Sequence, residues 1–141
     1  MKLWDTSALL ALLLGEDDAG GLRGIASADP SNALWWGTKV EALSGVCRRR
    51  RVGGIPDGRL PQLVAAIERA VGAAYEVHPI EEVRDTACRL LRVHDLRAGD
   101  ALQLAAALVW CGHSPSGHGF VCLDARLRRA AEREGFDVLP S

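Results

Sequence analysis

The sequence predicts an α/β fold on a mainly parallel sheet of four to five short strands, with helices covering both faces. Three observations carry that reading. Apolar segments of strand length alternate along the chain with longer segments whose apolar residues recur at helical spacing. The segment Asp100 to Cys111 is apolar nearly all round except for Asp100 and Gln103, the pattern of a buried helix. The 141 residues, 48% of them apolar, suffice for one domain, which at this size buries roughly 70% of its unfolded surface without disulfide or metal staples.

Leu3 to Asp5 is the first strand, and Thr6 or Ser7 caps a helix carried by Leu9, Leu10, Leu13 and Leu14. A second, weaker helix is expected over Asp17 to Ala28, despite Gly20, Gly21 and Gly24. After the turn at Pro30, Ala33 to Trp36 is a strand, in which the adjacent Trp35 and Trp36 point to opposite faces so that one enters the core. Thr38 caps the next helix, with Val40, Leu43 and Cys47 as its apolar positions. Val52 to Gly58, with three glycines and Pro56, is a loop. Pro61 then suits the first turn of a helix bearing Leu60, Leu63, Val64, Ile67 and Val71. Tyr75 to His78 is a strand, and Ile80 to about His94 a helix with Val83, Ala87, Leu90 and Leu91 inward. Beyond the buried helix, Phe120 to Leu123 is a strand, Ala125 to Glu134 an amphipathic helix and Phe136 to Leu139 the last strand. Short strands separated by helices imply parallel pairing with both faces covered.

Composition excludes several classes. No apolar run approaches the roughly 18 residues that cross a bilayer. The N-terminus imitates a signal peptide, but Asp5 precedes its apolar run and Glu16, Asp17, Asp18 and Arg23 follow it, so it reads as folded protein. Cys47, Cys88, Cys111 and Cys122 lie far apart with no C-x-x-C pair, which favours a reducing, cytoplasmic setting. With 17 Lys and Arg against 18 Asp and Glu, the net charge of −1 offers no global basic excess, so a nucleic-acid role must rest on a local site.

Ligands of parallel sheets gather outside the carboxyl ends of the strands, and two aspartates stand there. Asp5 ends the first strand and Asp124 follows the strand Phe120 to Leu123; each can also serve as a helix N-cap. Asp100 lies in the first turn of the most apolar helix, where a carboxylate needs a partner or the helix dipole. Glu41 sits among apolar positions and is followed by Ser44 and Gly45, small residues that let another element approach. No base occupies position 44 or 45 to pair with it. Four carboxylates from four segments suggest one acidic pocket. Two unit charges about 4 Å apart repel by roughly 4 kcal/mol at an effective dielectric near 20, so such a pocket raises pKa values or binds cations. All-oxygen donors favour magnesium or manganese over zinc.

The ordered segments Asp5-Thr6-Ser7-Ala8-Leu9, Glu41-Ala42-Leu43, Leu96 to Ala105 around Asp100, and Val121 to Asp124 followed by Arg126 to Ala131 and Gly135-Phe136 resemble the signature of PIN-domain ribonucleases. In size and short central region the chain looks most like the VapC toxins of toxin–antitoxin pairs. The resemblance covers nearly the whole chain, and the Asp100 segment is its most specific piece. It implies a three-layer α/β/α fold, magnesium- or manganese-dependent cleavage of single-stranded or loop RNA, a homodimer, and neutralisation by a small antitoxin. On this sequence it makes Asp5, Glu41, Asp100 and Asp124 the catalytic and metal-binding quartet, with Asp5 and Asp100 the principal ligands. Ser7 is a secondary candidate for contacting a water or the scissile phosphate. Two features depart from the family: Cys122 stands where many members carry Thr or Ser, and Gly112 to Gly119 is longer than the usual link.

Arg48, Arg49, Arg50 and Arg51 form the only basic run, either an RNA-phosphate contact beside the Val52 to Gly58 loop or a solvated helix end complementing its dipole. His113 and His118 read as surface residues, and the alternating Arg and Glu after Asp124 as a solvated helix face. Other functions compatible with the residues are a non-catalytic RNA- or protein-binding module and a housekeeping RNA-processing nuclease. A different phosphotransfer enzyme would carry a Gly-rich phosphate loop or a D-x-D after the first strand, and neither is present. If the four acids hold cations, the remaining 14 acids against 17 bases leave an outer surface at +3.

Overall fold

The structure is a computed structural model that describes residues 1–16 and 19–141. Five strands, β1 (Lys2–Trp4), β2 (Asn32–Trp35), β3 (Tyr75–Val77), β4 (Gly119–Val121) and β5 (Asp137–Leu139), form a sheet in the order β3-β2-β1-β4-β5. Every pairing is parallel. The helices are α1 (Thr6–Leu14), α2 (Ala19–Ala28), α3 (Thr38–Arg51), α4 (Leu60–Ala73), α5 (Glu81–Val93), α6 (Ala98–Trp110) and α7 (Ala125–Glu134). The expected start of the second helix at Asp17 lies outside the described residues.

The two-residue period of the strands divides the core. Leu3, Ala33, Trp35, Val77 and Phe120 point to one face, against α5, α6 and α7. Trp4, Leu34 and Val121 point to the other, against α1 and α2, with α4 at its margin. A third cluster joins Leu10 of α1 to Ala42 and Val46 of α3 and Leu63 and Ile67 of α4. The result is a three-layer α/β/α arrangement. Among the described residues no helix is long and apolar enough to cross a membrane.

The apolar run near the N-terminus is α1, closed by Gly15 in the left-handed conformation at φ 65°. Asp5, rather than Thr6 or Ser7, is its N-cap. Helix α3 differs most from expectation. Its inward residues are Thr38, Ala42, Gly45 and Val46, whereas Val40 is 68% exposed and Leu43 also faces outward. The apolar residues of this helix fit two faces, and packing on α1 and α4 selects the one with small side chains, on which a Cβ at Gly45 would stand 2.6 Å from Leu10 Cδ1. Thr38 does not cap α3, since Gly37 precedes it without a side-chain bond. The loop after α3 is not wholly irregular: Asp57–Arg59 forms a 3-10 turn and Ile55 is buried. Leu91, expected inward on α5, is exposed. Trp35 is buried and Trp36 half exposed, as their opposite orientations predict.

The chain passes from β1 outward to β2 and β3, then returns to the other side of β1 for β4 and β5. The order therefore reverses between β1 and β4. In parallel sheets a crevice opens at that point, outside the carboxyl ends of the two strands. Asp5 follows β1 directly, and Asp124 lies just beyond β4.

Candidate functional site

A cavity of about 680 Å³ opens at this reversal, and Asp5, Ser7, Glu41, Asp100 and Asp124 all line it. The four acids predicted from four separate segments thus face one space. Each is placed by a helix start. Asp5 caps α1, its Oδ1 accepting from the Ala8 N–H at 3.2 Å and from Ser7 Oγ at 2.7 Å. Asp124 caps α7 through the Leu127 N–H at 2.9 Å. Glu41 and Asp100 lie in the first turns of α3 and α6. Helix starts suit carboxylates because unpaired backbone N–H groups and the positive dipole end point at them. The N-cap role of Asp5 and Asp124 and their place at the cavity are one arrangement, because the cap fixes the carboxylate at the strand end.

Burial dominates the electrostatics. Asp5 is almost wholly enclosed, and desolvation pushes its carboxyl up to about 6 against the hydrogen bonds from Ser7 and Ala8. Desolvation also raises Glu41, helped by the charge of Asp100 and opposed by the bonds from Thr6 and Gln103. Asp100 is raised by desolvation and then by Asp124, with Arg97 acting against both. These acids form one electrostatic group whose charge the protein only partly neutralises, an arrangement that attracts protons or cations.

Glu41 is held by a buried network that sequence reasoning did not assign. Thr6 Oγ1 donates to Glu41 Oε2 at 3.0 Å, and Gln103 Nε2 reaches Thr6 Oγ1 at 2.8 Å, Thr38 Oγ1 at 3.0 Å and Glu41 Oε2 at 3.4 Å. The one signal was Gln103 itself, a polar break in an otherwise apolar helix. Ser7 lines the cavity but is already engaged, donating to Asp5 and accepting from the Leu123 N–H at 3.1 Å. Its hydroxyl positions Asp5. Cys122 is buried beside it, Sγ 4.0 Å from Ser7 Oγ and 3.6 Å from the Asp124 carbonyl, so sulfur makes weak contacts at that position. Burial pushes its thiol far above the usual range, and it stays protonated. The four cysteines are free.

Arg48 and Arg49 line the same cavity. Arg49 also bonds the Gly45 carbonyl at 3.3 Å and Glu16 at 3.3 Å. Arg50 turns to Asp57 at 4.0 Å, and Arg51 is exposed at the end of α3. The basic run therefore divides, two residues facing the cavity and two not. The 112–119 segment enters β4 at its amino end, the opposite end of the strand from Asp124. There Trp110 and His118 stack edge to face at 5.3 Å and His113 Nε2 meets Glu82 at 2.8 Å, so both histidines stand away from the acids.

The donor set fits a hard divalent cation in kind: carboxylates, raised in pKa, at an open cavity. Among the described residues no three His, Cys, Asp or Glu side chains gather closely enough to form a closed ligand cluster. Magnesium does not need one, since it keeps several waters and takes one or two protein carboxylates directly.

No family model and no curated protein matches the chain. Solved structures match it in fold. PAE2754 from Pyrobaculum aerophilum superposes with a TM-score of 0.65 at 20% identity, over 98% of this chain and 88% of that one. A chain of a toxin–antitoxin complex from Klebsiella pneumoniae gives 0.64 at 17% identity, over 89% and 88%. FitAcB from Neisseria gonorrhoeae gives 0.55 at 18% identity, over 98% and 96%. Fold and site together define a class: a three-layer α/β/α protein with a carboxylate cavity where its parallel sheet reverses order.

Proposed function

We propose that the protein is a magnesium- or manganese-dependent endoribonuclease, the toxin of a type II toxin–antitoxin pair. One observation carries the proposal: Asp5, Glu41, Asp100 and Asp124, from four separate segments, line one cavity at the sheet's reversal point. The fold likeness to a chain of a toxin–antitoxin complex supports the toxin role. On this reading the partners are RNA, a small antitoxin and a second copy of the chain, and the setting is cytoplasmic.

Asp5, Asp100, Asp124 and Glu41 would hold one or two divalent ions. Such ions offset the acidic charge, position a phosphate and make water nucleophilic at neutral pH. Ser7 and the Ala8 N–H fix the Asp5 carboxylate, while Thr6 and Gln103 fix Glu41. Arg48, at the cavity rim, offers a cation to a phosphate oxygen. Water would add to phosphorus in line and give up one proton as the bond to the 3′ oxygen breaks, and that oxygen would take up a proton in exchange, leaving a 5′-phosphate and a 3′-hydroxyl.

A second reading, a non-catalytic RNA- or protein-binding module, draws on the lack of a closed ligand cluster among the described residues. Incubation with mixed RNA separates the two. Cleavage is expected with magnesium and not with chelator or with Asp100→Ala. Equal cleavage in all three, or none in any with folded protein, would sink the enzyme reading.

A further inference from the structure

Arg126, Arg129 and Arg133 recur at i, i+3 and i+7 on α7 and project from one side of it, all exposed, along about 10 Å of helix. Two small cavities join this side to the acid site. One, about 170 Å³, is lined by Asp100, Asp124, Arg97 and Arg126. The next, about 50 Å³, is bounded by Arg126, Arg129 and Arg133 with His94 and Asp95. The first shares its two acids with the main cavity, and the second shares Arg126 with the first.

These cations have few counter-ions. Arg126 Nε is 3.8 Å from Asp95 Oδ2, with both groups well exposed. Among the described residues Arg97, Arg129 and Arg133 form no ion pair. Of the two acids beside Arg133, Glu134 is turned to Arg89 and His94 at 2.7 Å each, and Glu132 forms no ion pair among the described residues. Arg128, by contrast, is a structural clamp, bonding the Cys122 and Pro140 carbonyls at 2.7 and 2.6 Å. The fold uses Arg128, holds Arg126 only by the exposed Asp95 contact and, among the described residues, leaves Arg129 and Arg133 without an ion pair.

We propose that Arg97, Arg126, Arg129 and Arg133 form a phosphate track along which a single nucleic-acid strand leaves the acid cavity. Divalent ions can offset the carboxylates only at the reacting phosphate, so the phosphates to either side of it need cations on the cavity's flanks. Arg48 and Arg49 line the main cavity, and the track starts at the smaller cavity that shares Asp100 and Asp124 with it. Guanidinium forks match phosphate oxygens in pairs. Roughly 10 Å of helix is long enough to face successive phosphates of the strand. The track deepens the nuclease reading by setting the strand's path, but phosphate binding does not depend on cleavage.

The test is fluorescence anisotropy with labelled single-stranded RNA of roughly a dozen nucleotides, and DNA of the same sequence, across a salt series. An Asp100→Asn background with magnesium keeps the probe intact. Adding Arg129→Gln and Arg133→Gln is expected to weaken both probes roughly tenfold at 0.15 M salt and to lower the salt slope by ~1.4, from ~0.7 per phosphate contact. Arg129→Lys with Arg133→Lys should restore most of the slope, and Arg84→Gln with Arg92→Gln on α5 should change nothing. An unchanged slope overturns the track, as do equal losses from the α5 pair and loss on RNA alone. An acidic protein as the true occupant would leave both probes unaffected and overturn it too. Wild-type cleavage is measured separately: no cleavage with the binding loss intact removes the nuclease reading and keeps the track, and cleavage with unaltered binding does the reverse.

Discussion

Gln103 of α6 reaches across the molecule to Thr6 of α1, its Nε2 2.8 Å from the threonine Oγ1 with both side chains buried. The same amide meets Thr38 and Glu41, so one side chain ties the starts of α1 and α3 to the buried helix. Gln103→Leu keeps most of the volume and removes the donor, leaving buried Thr38 without its partner. A stability loss of about 1–3 kcal/mol is expected in denaturant unfolding. Because Gln103 lowers the Glu41 carboxyl, the variant should also move the acid limb of any activity profile upward. Unchanged stability would mean that the hydrogen bonds of Gln103 Nε2 contribute nothing net in solution.

Asp5 gives the molecule a pH dependence opposite to that of a paired carboxylate. Its folded value of about 6 lies above the ordinary 3.8, so between these limits the folded chain holds the proton more tightly than the unfolded one. Stability from this group is present below about pH 4 and falls as pH rises toward about 6. Asp5→Asn keeps an N-cap and removes the buried charge, so it should raise the melting temperature at pH 7 while ending RNA cleavage. A divalent cation acts in the same direction by binding the ionised form, so the magnesium-induced rise in melting temperature should shrink between pH 7 and pH 5. A melting temperature lowered by Asp5→Asn would contradict the desolvation account.

Glu134, at the last turn of α7, joins two partners of α5 and its end: Arg89 at 2.7 Å and the buried imidazole of His94 at 2.7 Å. Burial pushes its carboxyl up, but the bonds from Arg89 and His94 outweigh that and hold it below the ordinary glutamate range. A lowered acid stabilises above its unfolded pKa, and that contribution disappears as pH falls through the folded value. Glu134→Ala should cost about 1–3 kcal/mol near neutrality, because it leaves a buried ring nitrogen unpaired. The difference from wild type should narrow as acid is added. A constant difference down to low pH would remove the ion pair as its cause.

The acids were legible because each signals locally: Asp5 and Asp124 as strand-to-helix junctions, Asp100 as a charge in an apolar helix. Strand order was not, yet it is the reversal between β1 and β4 that brings the two junctions together. The inward face of α3 was misread because Val40, Leu43 and Cys47 outrank Ala42 and Gly45 in hydrophobicity. Contact with Leu10 instead rewards the small residues. Gln103 was visible as an anomaly, but its partners are 62 to 97 residues away. The arginines of α7 read as a solvated face because the cavities that link them to Asp100 and Asp124 exist only in three dimensions.

Gly45 tests that α3 packing directly. A Cβ there meets Leu10 Cδ1 at 2.6 Å and Arg49 Nη1 at 3.3 Å. Leu10 is itself buried among Val46, Ile55, Leu63 and Ile67, so its displacement spreads into the cluster. Gly45→Ala gains about 0.5–1 kcal/mol of helix propensity and incurs about 1–3 kcal/mol of overpacking, for a net loss of about 1 kcal/mol. Leu10→Ala alone leaves a cavity in the same cluster and is destabilising. In the double variant the new methyl occupies part of that space, so the combined loss should be smaller than the sum by at least about 0.5 kcal/mol. Because Glu41 stands one turn before Gly45 on α3, the single variant should also reduce cleavage, and the double should recover part of it. Additive losses in unfolding would show that α1 and α3 do not meet at these two residues.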